Sequence, residues 1–302
     1  MFAVSFFGYL YILVGVLISS GFFTLLERKI MGASQFREGP SKVFVLGFFQ
    51  PVVDALKLFS KTNFSSEISV DLAYFFSPSL TFFTSLFFWV VFPSVWGLMS
   101  WYSGMLFVLF CFSVSVYGIV FSGWFSRSKF ALLGCIRALS QSISYEIPLS
   151  TCMITFVLVF CSYSLSELAG LQELTYFFFP FFFLVFTTFV VLLAEMNRSP
   201  FDLAEGESEL VSGFSVELGS SSFVAVFLGE YLALVWASVL ISLLFMGKVD
   251  IFFSLKIVLM MLMLALVRSS VPRSRFDKVM MMCWLTIFPL VMVSLLMSVV
   301  AV

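Results

Sequence analysis

Long stretches of this chain carry no charge. Residues 2–26, 72–126, 147–166, 174–194 and 279–302 contain no Asp, Glu, Lys or Arg. Residues 218–247 hold only Glu230, and 251–267 hold only Lys256. A helix needs about 20 apolar residues to cross a bilayer. In lipid, the backbone must satisfy its own hydrogen bonds, so such runs fold as helices. The 72–126 window accommodates two crossings, with a turn near Gly97–Gly104. The reading is an all-α polytopic membrane bundle of eight transmembrane helices, residues 1–302 forming a single integral membrane domain with no soluble domain. The chain is 61% hydrophobic and 11% charged, with a mean hydropathy of +1.12. Soluble domains carry roughly 25% charge. The first run is too long for a signal peptide, lacks a basic start and runs into ERK with no small-residue cleavage site.

The basic residues set the topology. With eight spans, four loops share one side, and they hold fourteen of the sixteen Lys and Arg residues. The positive-inside rule assigns that face to the cytoplasm or the matrix. Both termini then lie on the other side. No basic tract points to nucleic acid.

Several chemistries are excluded. There is no histidine, which removes the usual haem and zinc ligand. The five cysteines are scattered without CxxC spacing, so this chain alone holds no iron–sulfur cluster. There is no GxGxxG and no phosphate-binding loop. Any redox cofactor belongs to a partner.

Residues 195–217, EMNRSPFDLAEGESELVSGFSVE, concentrate six of the 17 acids: Glu195, Asp202, Glu205, Glu207, Glu209 and Glu217. They share one base, Arg198. Carboxylates taken out of water must pair, hydrogen-bond or hold a proton. Ser199-Pro200-Phe201-Asp202 fits a helix start, with Ser as N-cap and Pro at the first position. Glu205 and Glu209 then share a helix face, where like charges repel. An exposed acidic loop is one reading, and a set of acids that takes up and releases protons is the other.

Glu230 sits inside the sixth span. A charge at the bilayer centre costs about 2.5–3.5 kcal/mol on insertion scales. Such a group is expected to face the bundle interior, toward Glu195 or Glu146, and Lys256 is a partner or a snorkelling side chain. In 48–61, FFQPVVDALKLFSK, Val52, Leu56 and Phe59 recur at helical spacing with Pro51 at the first position. This reads as an amphipathic helix in the interface. It is either an anchor or the wall and mouth of a site for a lipid-soluble ligand. In 126–146, Arg137 and Gln141 share a helical face, and Glu146 precedes Pro148. In 267–278, Arg268, Arg273, Arg275 and Lys278 stand against one acid, Asp277. They read in part as the positive-inside signal, and the further reading is that they balance the acidic segment in a mixed ion-pair network.

These motifs carry a resemblance: LLERK at 25–29, GP at 39–40, QPVVDALKLFSK at 50–61, YGIVFSGWFSRSKFALLG at 117–134 and RALSQSISYE at 137–146. It continues with NRSPFDLAEGESELVSGFSVE at 197–217, GEY at 229–231 and VPRSRFDK at 271–278. The chain resembles the family of subunit 1 of mitochondrial respiratory complex I. The resemblance implies a place at the heel of the complex, in the mitochondrial inner membrane, with the charged loops on the matrix side. It implies ubiquinone as substrate and a role in forming the membrane part of the ubiquinone tunnel. NADH, FMN and iron–sulfur clusters are then confined to partner subunits. The expected partners are hydrophilic-arm subunits with the quinone-headgroup and iron–sulfur sites, small and antiporter-like membrane subunits, and the lipid bilayer.

By motif, the resemblance places Arg28, Gln35, Arg37, Asp54, Lys57, Phe59, Arg273 and Arg275 near the tunnel entrance and walls. It places Asp202, Glu205, Glu207 and Glu209 in an acidic loop facing the cavity. Glu146, Glu195 and Glu230 fall on an intramembrane carboxylate path, with Arg137 close to it. The chain departs from the family pattern at TNFSSE after KLFSK, at Leu285 after Trp284, and at Glu38 where Lys is common. An independent ion transporter is the alternative, but it would predict inverted repeats, and the two halves show none. The membrane anchor of an energy-converting hydrogenase-type complex is a further alternative.

Overall fold

The computed structural model describes residues 2–43, 45–62, 71–93, 101–172, 176–178, 180–204, 206, 213–247, 249–250 and 252–301. Among these residues all regular structure is helical. The elements are α1 (Phe2–Ser34), α2 (Gln50–Ser60), α3 (Asp71–Phe87), α4 (Gly104–Phe125), α5 (Lys129–Phe160), α6 (Leu165–Leu171), α7 (Phe182–Glu195), α8 (Ser220–Phe245), α9 (Phe253–Ser270), α10 (Phe276–Met281) and α11 (Phe288–Ala301). A π-helical stretch, Met282–Ile287, joins the last two into one rod.

Seven of these helices are long and apolar enough to cross a membrane: the six from α1, α3, α4, α5, α8 and α9, and the rod that α10 and α11 form together. The expected fifth span, 174–194, is shorter among the described residues. It begins only at Phe182, two residues after Pro180, and has 14 residues. At 1.5 Å per residue that is about 21 Å, against a hydrocarbon core of about 30 Å. Two expected loops are helical. α1 continues through Glu27, Arg28 and Lys29, and α5 begins at Lys129 and runs unbroken through Pro148. Ser128 caps α5, its Oγ accepting from Ala131 N at 3.4 Å.

α8 is the centre of the bundle. It packs against α1, α2, α3, α7 and α9, and most of its length is buried. Its sequence is apolar on every side, as a helix surrounded by others must be. Trp236, with no exposed surface, stacks on Phe88 with ring centres 5.9 Å apart, and Phe88 meets Phe112 at 4.7 Å. By contrast α1, α9 and the C-terminal rod bury only a minority of their residues. Phe7, Tyr11, Leu255, Leu285 and Val300 are exposed, as lipid- or partner-facing side chains are.

Chain alternation brings the charge-bearing ends together. The ends of α1, α4, α7 and α9, the starts of α3, α5, α8 and α10, and the whole of α2 lie at one end of the bundle, where long-range bonds tie several of them. Ser274 N and Oγ both donate to Pro200 O, at 3.0 and 2.9 Å. Tyr145 Oη donates to Val279 O at 2.9 Å, and Cys283 Sγ to Ser144 O at 3.1 Å. At the far end Gln172 Nε2 donates to Leu243 O and Leu244 O. Lys256 Nζ donates to Met246 O at 2.7 Å and lies over the Tyr176 ring. Lys256 thus serves the end of α8.

Candidate functional site

Two pockets with charged residues in largely apolar walls lie on either side of α8 and the end of α7. The first is a cavity of about 60 Å³ among α3, α4, α7 and α8. Thr81, Thr84, Ser85, Ser115, Glu195, Asn197 and Glu230 supply its polar lining. A space of this size admits water, which needs roughly 10–15 Å³ per molecule. The Thr84, Ser85 and Ser115 hydroxyls donate to carbonyls of their own helices, which leaves their oxygens as acceptors. α8 approaches α3 through Gly229: a Cβ there would sit 3.1 Å from Thr81 O. A side chain there would crowd the α3 backbone, so glycine favours the close approach, and the neighbouring Glu230 lines the same cavity as the α3 hydroxyls.

Glu195 terminates α7, 7% exposed, and its Oε2 has no hydrogen-bond partner among the described residues. Glu146, half-buried on α5, is near enough for its charge to act on Glu195. The structure therefore brings Glu195 and Glu230 to one cavity, with Glu146 beside the first. A buried acceptor left unpartnered costs about 1–3 kcal/mol. Water in the cavity can donate to it, and protonation would remove its charge.

The second pocket centres on Glu27, which motif reading quoted only as a letter in LLERK. Glu27 is 4% exposed. Arg268 Nη1 lies 2.6 Å from its Oε1, and Tyr231 Oη donates to its Oε2 at 2.6 Å. Arg198 lies over the Tyr231 ring, 4.3 Å from its centre, and lines the same small pocket. The available signal was its place directly after the charge-free window 2–26, where one more helical turn keeps it at the end of the span. Sequence alone did not show that α1 stays helical and carries Glu27 inside.

The other predicted residues are on the surface of the charged end. Arg28 Nη1 lies 2.7 Å from Asp54 Oδ2, and Gln50 Nε2 donates to Asp54 Oδ1. α2 forms as expected, with Pro51 in its first turn, and its stripe of Val52, Leu56 and Phe59 is exposed. Gln35, Arg37, Lys57 and Arg275 are exposed, and Arg137 is half-buried on α5. Arg273 Nη2 meets Asp202 Oδ2 at 2.8 Å, which is one bond of the expected ion-pair network. Glu205, Glu207 and Glu209 lie outside the described residues. The helix start expected at 199–202 does not form. Those residues make a turn in which Phe201 N donates to Arg198 O at 2.7 Å, and the carbonyls of Pro200 and Phe201 are taken by Ser274 and Gln141. Tertiary hydrogen bonds override the local capping preference there. Gly134 lets α5 approach this region: a Cβ would lie 2.9 Å from Phe214 N and 3.1 Å from Ala204 O.

The family model of NADH dehydrogenase matches residues 7–299. The chain belongs to this family. NADH-ubiquinone oxidoreductase chain 1 of Apis mellifera ligustica is 42% identical over 296 residues, covering 95% of this chain and 94% of that protein. The Anopheles gambiae chain 1 is 41% identical over 286 residues, covering 94% and 91%. The chain 1 of Nycticebus coucang is 39% identical over 290 residues, covering 93% and 91%. Membership makes this chain a membrane subunit of an NADH:ubiquinone oxidoreductase, part of respiratory complex I with other subunits of that complex as its partners. An independent transporter is set aside.

Proposed function

We propose that this chain forms the membrane-embedded part of the passage by which ubiquinone reaches its reduction site. We further propose that its buried carboxylates couple that reduction to proton translocation across the mitochondrial inner membrane. The charged end then faces the matrix, beneath hydrophilic-arm subunits that carry NADH, FMN, the iron–sulfur clusters and the quinone-headgroup site. Small and antiporter-like membrane subunits receive the carboxylate row.

The observation that carries this reading is the shared cavity of Glu195 and Glu230. Two acids from different helices line one cavity whose largely apolar wall carries several hydroxyls, one of the acids having a buried oxygen with no partner among the described residues. Ubiquinone takes two electrons from the partner clusters and two protons on reduction. Negative charge that develops before protonation raises the hold of nearby acids on protons, and the row passes this change sideways. Arg28–Asp54 and Arg273–Asp202 put charge-paired walls at the charged end. The exposed stripe of α2 supplies an apolar side for the quinone tail. Glu27, Tyr231 and Arg268 connect those walls to α8, on which Glu230 is the next residue.

Glu195→Gln in the assembled complex tests the reading. It preserves shape and removes proton exchange. Ubiquinone reduction is expected to fall by about tenfold or more, with proton pumping falling alongside. NADH oxidation by a water-soluble acceptor such as ferricyanide should stay unchanged. Normal quinone turnover with full pumping would overturn the proposal.

A further inference from the structure

Gln141 has no exposed surface. Its Nε2 donates to Ala194 O and to Phe201 O, each at 2.8 Å. Both partners are carbonyl acceptors, so the amide orientation is determined: the nitrogen faces them and Oε1 faces away. Oε1 is buried with no hydrogen-bond partner among the described residues. The two carbonyls belong to the residues immediately before Glu195 and Asp202. One amide group therefore holds both ends of the turn that joins the buried acid of α7 to the first acid of the loop. The same turn carries Arg198 to the Tyr231 ring. One turn and a residue further along α5 stands Glu146, so three acids take their positions from one rigid helix.

We infer that Gln141 is a positioning residue that holds Glu195, Asp202 and Glu146 in register, linking the acidic loop to the intramembrane carboxylates. The inference rests on the proposed role of those acids. Proton transfer is sensitive to distance, and a shift of about 1 Å in a positioned group can cost on the order of a hundredfold. The turn 195–201 is also held by Asn197 N to Ala194 O, Arg198 N to Leu193 O, Phe201 N to Arg198 O and the two bonds from Ser274 to Pro200 O, each of which fixes one part of it. Gln141 differs in bonding a carbonyl at each of the turn's two ends through one side chain.

A second glutamine provides the control. Gln172 also uses Nε2 to bind two carbonyls, Leu243 O and Leu244 O, at 3.1 and 2.9 Å, and its Oε1 is likewise buried and unpartnered among the described residues. It serves the last turn of α8 at the far end of the bundle, where carbonyls need a donor, and it touches no acid of the row. The chemistry lost on substitution is the same at both sites, while the expected functional consequence differs.

The experiment compares Gln141→Met, Gln141→Glu and Gln172→Met in the whole assembled complex. Gln141→Met is expected to leave ferricyanide-linked NADH oxidation intact. It should lower kcat for ubiquinone by about tenfold or more, with little change in KM, and displace the pH profile. Gln141→Glu keeps one donor when protonated and none when ionised, so its turnover should recover as pH falls relative to the unsubstituted complex. Gln172→Met should reduce the amount of complex without changing kcat or the pH profile. Unchanged kcat and pH profile in an assembled Gln141→Met complex would overturn the inference. So would failure of both Gln141 variants to assemble, which would make the residue a structural pin only. Glu195→Gln serves as the reference arm. If it is impaired while Gln141→Met is normal, only the positioning role falls. If Glu195→Gln itself is normal, the proposed function falls first.

Discussion

Glu27 and Glu195 are about equally buried, and they are held in opposite ways. Glu27 has an arginine on one oxygen and a tyrosine hydroxyl on the other, both at 2.6 Å. Glu195 has an oxygen with no partner among the described residues and a second acid, Glu146, acting on it. The two pockets draw on the same parts of the chain: the end of α7 supplies Glu195 and the turn after it Arg198, while α8 supplies Glu230 to one and Tyr231, bonded to Glu27, to the other. Burial alone therefore says little about the job of an acid. A carboxylate already balanced by a cation is locked in place. One that lacks a complete set of donors has a reason to exchange water and protons.

The largest effect should come from unbalancing the locked pocket. Glu27→Ala leaves Arg268 partly buried without its countercharge, and breaking a buried pair costs about 3–5 kcal/mol. The expected outcome is loss of assembled complex on native gels. The double variant Glu27→Gln with Arg268→Gln should recover part of it, because neither charge is then left alone. Equal loss in the single and double variants would break the comparison.

Glu230→Gln should act in the other manner. Assembly is expected to survive, since the amide keeps shape and hydrogen bonding, while quinone reduction and pumping fall together by about tenfold. Full pumping in a properly assembled Glu230→Gln complex would leave this residue as interhelical glue and make the two pockets alike.

The pair between Asp202 and Arg273 is partly exposed to water, with side chains 14% and 33% accessible. Exposed pairs contribute about 0–1 kcal/mol, so Asp202→Asn should leave assembly alone and change quinone kinetics by a few-fold at most. Raising ionic strength, which shortens the screening length below about 8 Å, should reproduce part of that change. Insensitivity of the unsubstituted complex to salt would show that the pair does not act on the quinone. Phe59, 60% exposed on α2, should give the smallest effect. Phe59→Ala is expected to raise KM for ubiquinone by about twofold, through lost apolar contact, with assembly unchanged. An unaltered KM would remove α2 from the quinone wall.

Much of this was legible in the residues. The charge-free runs announced the membrane helices because lipid leaves a chain no other way to satisfy its backbone. Pro51 and the stripe of Val52, Leu56 and Phe59 announced α2 because its pattern is local. Glu230 stood out because a lone acid in an apolar run has few harmless explanations. The misses are non-local. Ser199-Pro200-Phe201-Asp202 has the letters of a helix start, but carbonyls there are claimed by Gln141 and Ser274, residues far away in the chain. Loop boundaries failed where a charged residue inside a helix found a partner on another helix, as Glu27 did with Arg268.

The sequence by itself determined that this chain crosses a membrane several times, that its charges gather at one end, and which family it resembles. These properties follow from composition and short-range pattern, which survive any arrangement of the helices. Only the tertiary structure decided which acids meet. Glu195 and Glu230 share a cavity because Gly229 lets α8 close on α3. Glu27 is neutralised because α9 returns Arg268 to the end of α1. Whether a buried carboxylate is balanced depends on groups within a few ångströms of it, and in a helix bundle those groups come from distant parts of the chain.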